Sequence, residues 1–413
     1  MTVLKGSNLA INGGARVRTR PFPAWPVWDE SDVQALADTV RSGKWGVWGK
    51  PGGPVEQFEK AFAEFQHARY CACLTNGSAA LEVALRAIGV EAGDEIIVPP
   101  YTFIATAGAC LMVNTVPVFV DIEPDTYNLD PTKIEAAITD RTRAIIPVHI
   151  AGCPADMDTI MAVARRYNLK VIEDCAQAHA AEWRGRRVGA IGDVGIFSFQ
   201  SSKNLNAGEG GACVTDDEEL YRRCWSLQNV GRSREGQWYE HPLLGWNLRM
   251  THFQGALLLN QLQRLPAQAE RRTANAAYLT ARLQQIPGIR PLRVDERVTR
   301  HAYHLYIFRY DASEFGGLPR GDFIAAMQAE GIACKPGYAP LYKELAFHNC
   351  DVYASAFKLA SHPVDYDKVS CPVCEKACAE EAVWLYQAWF IGEDHRDMDD
   401  IVAAIEKIRD AAK

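Results

Sequence analysis

Surplus positive charge is the first thing this 413-residue chain lacks: Lys plus Arg number 44 against 51 Asp plus Glu, a formal net charge of -7. The basic residues are scattered, so no nucleic acid and no acidic membrane surface is expected as a partner. Low-complexity tracts and internal repeats are also missing, which leaves no place for a solenoid or a disordered tail. A long apolar run is present only in broken form. The uncharged stretch from Ile96 to Val120 is interrupted by Pro99-Pro100 and by Pro117 and is flanked by Asp94, Glu95 and Asp121, so it reads as strand, buried helix, strand. The start Met-Thr-Val-Leu-Lys-Gly-Ser-Asn has no basic region followed by an apolar one, and a cytoplasmic location without a secretory leader is expected.

What remains is an ordinary globular composition, 48% hydrophobic and 23% charged, over a length that exceeds one core. Residues 1–53 read as an N-terminal segment with one helix at 31–41 and a glycine-rich loop carrying Trp45 and Trp48. Those two tryptophans fit a flap over a ligand and equally fit packing against a neighbouring chain. Across 54–264 the periodicity switches repeatedly between helix and strand, which predicts a large α/β domain with a mainly parallel, seven-stranded sheet. Strands are expected at 70–74, 95–98, 116–122, 144–148, 171–173, 195–199 and 212–215, with helices at 78–88, 131–138 and 157–167. Residues 265–413 read as a smaller α+β domain, entered by a helical run over 253–265 and on to Arg282, with a strand at 305–310 and helices at 322–330 and 398–408. Of the twelve cysteines, Cys71, Cys73, Cys110, Cys175 and Cys213 read as small buried hydrophobes. The run Cys371-Pro-Val-Cys374 with Cys378 has metal-like spacing, but no fourth ligand cluster follows it. Structural thiols and no metal are expected there.

One stretch organises the rest. Phe197-Ser-Phe-Gln-Ser-Ser-Lys203, followed by Gly208, Gly210 and Gly211, places a lysine just beyond an apolar strand. Lys170-Val-Ile-Glu-Asp174-Cys-Ala-Gln177 ends another such strand in a carboxylate and a carboxamide. Ligands of parallel α/β sheets gather at the carboxyl ends of strands. An amine and an acid so placed are the pair that pyridoxal phosphate chemistry requires: the amine forms a Schiff base, and the carboxylate keeps the pyridine nitrogen protonated. Gly77 and Ser78 open a helix whose first N–H groups suit a phosphate. Phe103, beyond Pro99-Pro100-Tyr101, is placed to stack on a flat ring or to join the core. His149 ends a further strand, either as a satisfied buried histidine or as a catalyst.

Thr75-Asn-Gly-Ser-Ala-Ala-Leu81, Glu173-Asp-Cys-Ala-Gln177, Ser198-Phe-Gln with Lys203-Asn and Gly208-Glu-Gly-Gly211, and Gly245-Trp-Asn247-Leu-Arg-Met together resemble the DegT/DnrJ/StrS family of pyridoxal-phosphate aminotransferases, of the aspartate aminotransferase fold type. The similarity runs from Phe22 to the final helix. Phe22-Pro-Ala-Trp-Pro26, the Gly-Lys-Trp45 loop and Ser198-Phe-Gln resemble the branch holding inosose aminotransferases and aminohydroxybenzoate synthase as much as the nucleotide-sugar branch.

The resemblance implies Lys203 as the Schiff-base lysine, Asp174 on the pyridine nitrogen, Gln177 near the phenolic oxygen and Phe103 on the ring. It implies Gly77, Ser78 and Ser198 at the phosphate, joined by Asn247 from a second subunit, hence a homodimer with shared active sites. L-glutamine or L-glutamate is the implied donor. A keto-sugar or scyllo-inosose-like ketocyclitol is the implied acceptor, in amino-sugar, aminocyclitol or antibiotic biosynthesis. Lysine, in place of the histidine of dehydrating members, favours transamination. Trp45, Trp48, His179, Tyr338 and Tyr342 are the candidate substrate contacts. A dehydrating or aromatising synthase and a cofactor-binding subunit without turnover are the competing readings.

Overall fold

Strands β1 (Tyr70–Leu74), β2 (Glu95–Val98), β3 (Val116–Phe119), β4 (Thr142–Ile145) and β5 (Lys170–Asp174) precede a short hairpin of β6 (Glu182–Trp183) and β7 (Arg186–Arg187), followed by β8 (Val194–Ser198) and β9 (Gly211–Thr215). This computed structural model describes residues 8–47, 52–237, 239–348, 354–359 and 365–412. Seven of the strands form one sheet in the order β1-β9-β8-β5-β4-β2-β3. Only β9 runs against its neighbours, β1 and β8; the other pairings are parallel. The expected seven-stranded, mainly parallel sheet is therefore present.

Successive side chains of a strand point to opposite faces, and here each face is a separate core. Ala72, Leu74, Ile96, Val98, Ile172 and Ile196 belong to one, while Cys71, Cys73, Ile97, Val171 and Phe197 belong to the other. Burial on both faces explains why these strands read as continuous apolar runs in the sequence. Helix α1 (Glu30–Ser42) packs on α7 (His252–Leu283), and α2 (Pro54–Phe65), α3 (Gly77–Ala87), α4 (Ala105–Met112), α5 (Met157–Tyr167), α6 (Glu218–Gln228) and α7 surround the sheet. The first core takes α3, α4 and α6, and the second takes α2, α5 and α7.

One expected helix is corrected. Residues 131–138 form two 3₁₀ turns, Pro131–Lys133 and Glu135–Ala137, because Ile138 is already extended and the segment is too short for a run of i to i+4 bonds.

Strands β10 (Ile289–Pro291), β12 (Leu305–Tyr310) and β13 (Ala382–Tyr386) form an antiparallel sheet, and β11 (Val298–Arg300) pairs with β6. With α8 (Arg320–Ala329), the closing helix Arg396–Ala412 and the second half of α7 they enclose a third core around Phe308, Phe323 and Ile405. The expected 264/265 limit falls inside α7, which passes Pro266 without a break. The Arg18 guanidinium donates to Asp397 and Asp400 at 2.9 and 2.7 Å, tying the N-terminal segment to the closing helix. Cys371, Cys374 and Cys378 are buried thiols. Among the described residues no helix is long and apolar enough to cross a membrane.

Candidate active site

The carboxyl ends of β5 and β8, the N-terminal turns of α3 and α4, and residues from β12 and β13 meet at a cavity of about 720 Å³. Gly77, Ser78, Phe103, Asp174, Gln177, Ser198, Lys203 and Tyr338 all line it. These positions are up to 261 residues apart in the chain (338 minus 77), so the sheet topology, not local sequence, assembles them.

Lys203 sits on a tight loop in which the Ser201 N–H donates to the Gly208 carbonyl at 2.9 Å and the Lys203 N–H to the Gln200 carbonyl at 2.8 Å. Gly208 has φ +82, a conformation that L side chains rarely adopt. Burial pushes the Lys203 amine below its ordinary value, while attraction to Asp174 opposes the shift. Burial also pushes the Asp174 carboxyl up, against hydrogen bonds from the Ala176 N–H and the Thr106 hydroxyl and the pull of Lys203. Each charge is disfavoured by the dry wall and sustained by the other.

Around α3 the backbone is shaped to approach a ligand. The Asn76 side chain caps the helix by accepting from the Ala79 N–H at 2.8 Å, and Gly77 and Ser78 lie ahead of that bond at the cavity. A Cβ on Gly77 would stand 2.7 Å from Ser198 Cβ, so only glycine lets Ser198 and the helix start share one wall. A glycine-lined helix N-terminus, a buried carboxylate and a half-buried amine on one cavity form a donor set that fits pyridoxal phosphate.

Gln177 is held at both ends: Oε1 accepts from the Ala151 N–H at 2.7 Å, and Nε2 donates to the Tyr338 hydroxyl at 3.0 Å. Phe103 is 58% exposed at the mouth. Asn247 is exposed, bridged to Asn229, and does not line the cavity of its own chain. Three of the substrate-contact candidates also lie outside it. The Trp45 indole is 55% exposed, packs on Phe253 and donates to the Val40 carbonyl. His179 is buried against Phe197 and Phe199. Tyr342 is buried against Phe119 and spends its hydroxyl on Glu375 and the Cys371 N–H. Each is drawn into packing that its neighbours in sequence do not reveal. Trp48 lies outside the described residues.

His149 is a satisfied core residue. Its Nδ1 accepts from the Ala155 N–H at 3.0 Å, which leaves the Nε2 proton for Glu173 at 3.0 Å. Glu173 adjoins Asp174 but, by strand alternation, faces the opposite core, where it also accepts from the N–H groups of Gly189, Ile191 and Gly192. The sequence reading missed Thr106, His304, Lys335 and Trp384, which also line the cavity. Only Thr106 had a local signal, three positions beyond Phe103 at a helix start.

A half-buried lysine and a buried acid facing one cavity of a mainly parallel sheet match the donor set of the pyridoxal-phosphate class. The chain belongs to the DegT/DnrJ/EryC1/StrS aminotransferase family, whose sequence pattern matches residues 26–385. Members of that family depend on pyridoxal phosphate, and this protein is an aminotransferase of that kind. It is 41% identical over 407 residues to a putative L-glutamine:3-amino-2,3-dideoxy-scyllo-inosose aminotransferase of Micromonospora echinospora, covering 97% of each chain. It is 39% identical over 421 residues to the L-glutamine:2-deoxy-scyllo-inosose aminotransferase of Streptoalloteichus tenebrarius, again covering 97% of each. Among solved structures it is similar to 3-amino-5-hydroxybenzoic acid synthase, with a TM-score of 0.83 and 33% identity over 95% of this chain and 99% of that one.

Proposed function

We propose that this enzyme moves an amino group from L-glutamine, or L-glutamate, to the ketone of a scyllo-inosose-like ketocyclitol in aminocyclitol or antibiotic biosynthesis. The names of two relatives, each pairing L-glutamine with an inosose, support the substrate class. The observation that carries the chemistry is that Lys203 and Asp174 face one cavity with the start of α3. Gly77, Ser78 and Ser198 would hold the phosphate of pyridoxal 5'-phosphate, Asp174 its ring nitrogen, Phe103 its ring face and Gln177 the side of its phenolic oxygen. Once bound, the cofactor supplies an aldehyde for Lys203 and a sink for the charge released at the donor's α-carbon. Lys203 Nζ takes the proton from that α-carbon as general base and returns a proton as general acid. Its lowered pKa keeps more of the amine neutral for the first task. Asn247 would complete the site of a second subunit. Leu244 and Tyr239, 97% and 76% exposed beside it in sequence, offer apolar surface for that contact.

Borohydride reduction and peptide mapping should find the cofactor on Lys203; attachment to another lysine overturns the assignment. Incubation with L-glutamine and 2-deoxy-scyllo-inosose, read by mass spectrometry, should yield an aminocyclitol that Lys203→Ala does not form. An aromatic product from an amino-dehydroshikimate acceptor would instead support the synthase reading. Cofactor binding without product from any acceptor would leave only a partner subunit.

A further inference from the structure

Arg272, in the second half of α7, is wholly buried, and none of its three guanidinium nitrogens has a hydrogen-bond partner among the described residues. Burial pushes the group down to about 9, which still leaves it charged at neutral pH. Burial causes that shift, and no carboxylate of the described residues offsets it. The Trp25 ring lies 5.1 Å from the guanidinium carbon. An aromatic face offsets only part of the cost of enclosing a full charge.

Two imidazoles accompany it. Both nitrogens of His179 and Nδ1 of His304 are buried without a hydrogen-bond partner among the described residues, with the Ser198 backbone as the polar group beside His179. Both rings feel the charges of Arg272 and Lys203, and burial with that repulsion keeps them neutral. Each neutral ring carries one N–H to donate. His304 lines the active cavity, whereas Arg272 and His179 do not, so the group lies in the wall beside Lys203. Lys203 has Asp174 as its counter-charge. Arg272 has none.

We propose that Arg272, His179 and His304 form an enclosed binding site for one small monovalent anion of the chloride class. Water would satisfy the hydrogen bonds but leave the charge unbalanced; a halide answers both. Arg272 is 0% exposed in its own chain, so a second subunit cannot supply the missing charge.

The test reads neither transamination nor acceptor, so its failure leaves the proposed activity standing. Crystals of the cofactor-loaded protein grown in sodium bromide, measured at the bromine absorption edge, should show an anomalous peak against the Arg272 guanidinium. Surface peaks alone, meaning an adventitious ion only, or no peak, overturn the site. In solution, melting in sodium chloride against sodium gluconate at equal ionic strength should show a saturable rise on the order of a few degrees. Arg272→Gln should lose that rise. Equal melting of the unmodified protein in both salts overturns the proposal, and that comparison with the bromide map decides the matter even if Arg272→Gln does not fold.

Discussion

The Thr106 hydroxyl donates to Asp174 Oδ2 at 2.8 Å, and Thr102 Oγ1 lies 3.1 Å from Thr106 Oγ1. Two hydroxyls from the start of α4 thus aim the acid that ends β5. With Oδ1 accepting from the Ala176 N–H at 3.1 Å, the carboxylate has a fixed orientation before any ligand arrives.

Thr106→Val removes that donor, and a hydrogen bond to a charged group is worth about 1.5–3 kcal/mol. We expect kcat to fall roughly 10- to 100-fold. The pH at which the bound cofactor's visible band titrates should also move. Thr106→Ser should restore both, and a rate loss without a spectral change would show that Thr106 serves packing alone.

Gly77→Ala inserts a Cβ at 2.7 Å from Ser198 Cβ and 3.2 Å from Ser198 Oγ. One wall has to shift. Cofactor Kd, measured by fluorescence titration, should rise about tenfold or more, equivalent to about 1.4 kcal/mol. Unchanged affinity would separate Gly77 from the phosphate.

Glu173→Gln replaces a buried carboxylate that accepts from Gly189, Ile191 and Gly192 at 2.8, 2.7 and 2.6 Å. An amide NH₂ would confront at least one of these donors. We expect a loss of about 3–5 kcal/mol in urea unfolding. A change below about 1 kcal/mol would mean that the loop re-forms its bonds elsewhere.

Glu59 accepts from the Cys73 N–H at 2.8 Å, and burial, reinforced by the charge of Glu56, pushes its carboxyl up to about 7. An acid whose folded pKa exceeds its unfolded value binds its proton more tightly when folded. Its stabilising effect is therefore full below pH 4.5 and is lost as pH rises to about 7. Part of the residue's surface stays open, so the effect is discounted to about 1–2 kcal/mol. Melting curves of Glu59→Gln should be flatter than those of the parent across this range; parallel curves would contradict the assignment.

Much of this site could be read without coordinates. Lys203 and Gly77 follow, and Asp174 ends, a strand whose apolar run and turn punctuation are local properties, and all three line the cavity. The tryptophans were less legible. The glycine-rich loop left Trp45 open between a flap and packing, and it packs on Phe253 of its own chain, whereas Trp384 lines the cavity through the pairing of β12 with β13, which sets it opposite Ile307.

Periodicity and turn residues were by themselves sufficient for the strands of the main sheet, the loop presenting Lys203 and the acid ending β5, since each depends on amino acids adjacent in the chain. The hydroxyl that aims Asp174 comes from 68 positions away, and the wall enclosing Arg272 joins α7 to residues on either side of it in sequence. Such contacts leave no periodic trace. They exist only once the sheet has closed and its loops are packed, and tertiary structure alone decided them.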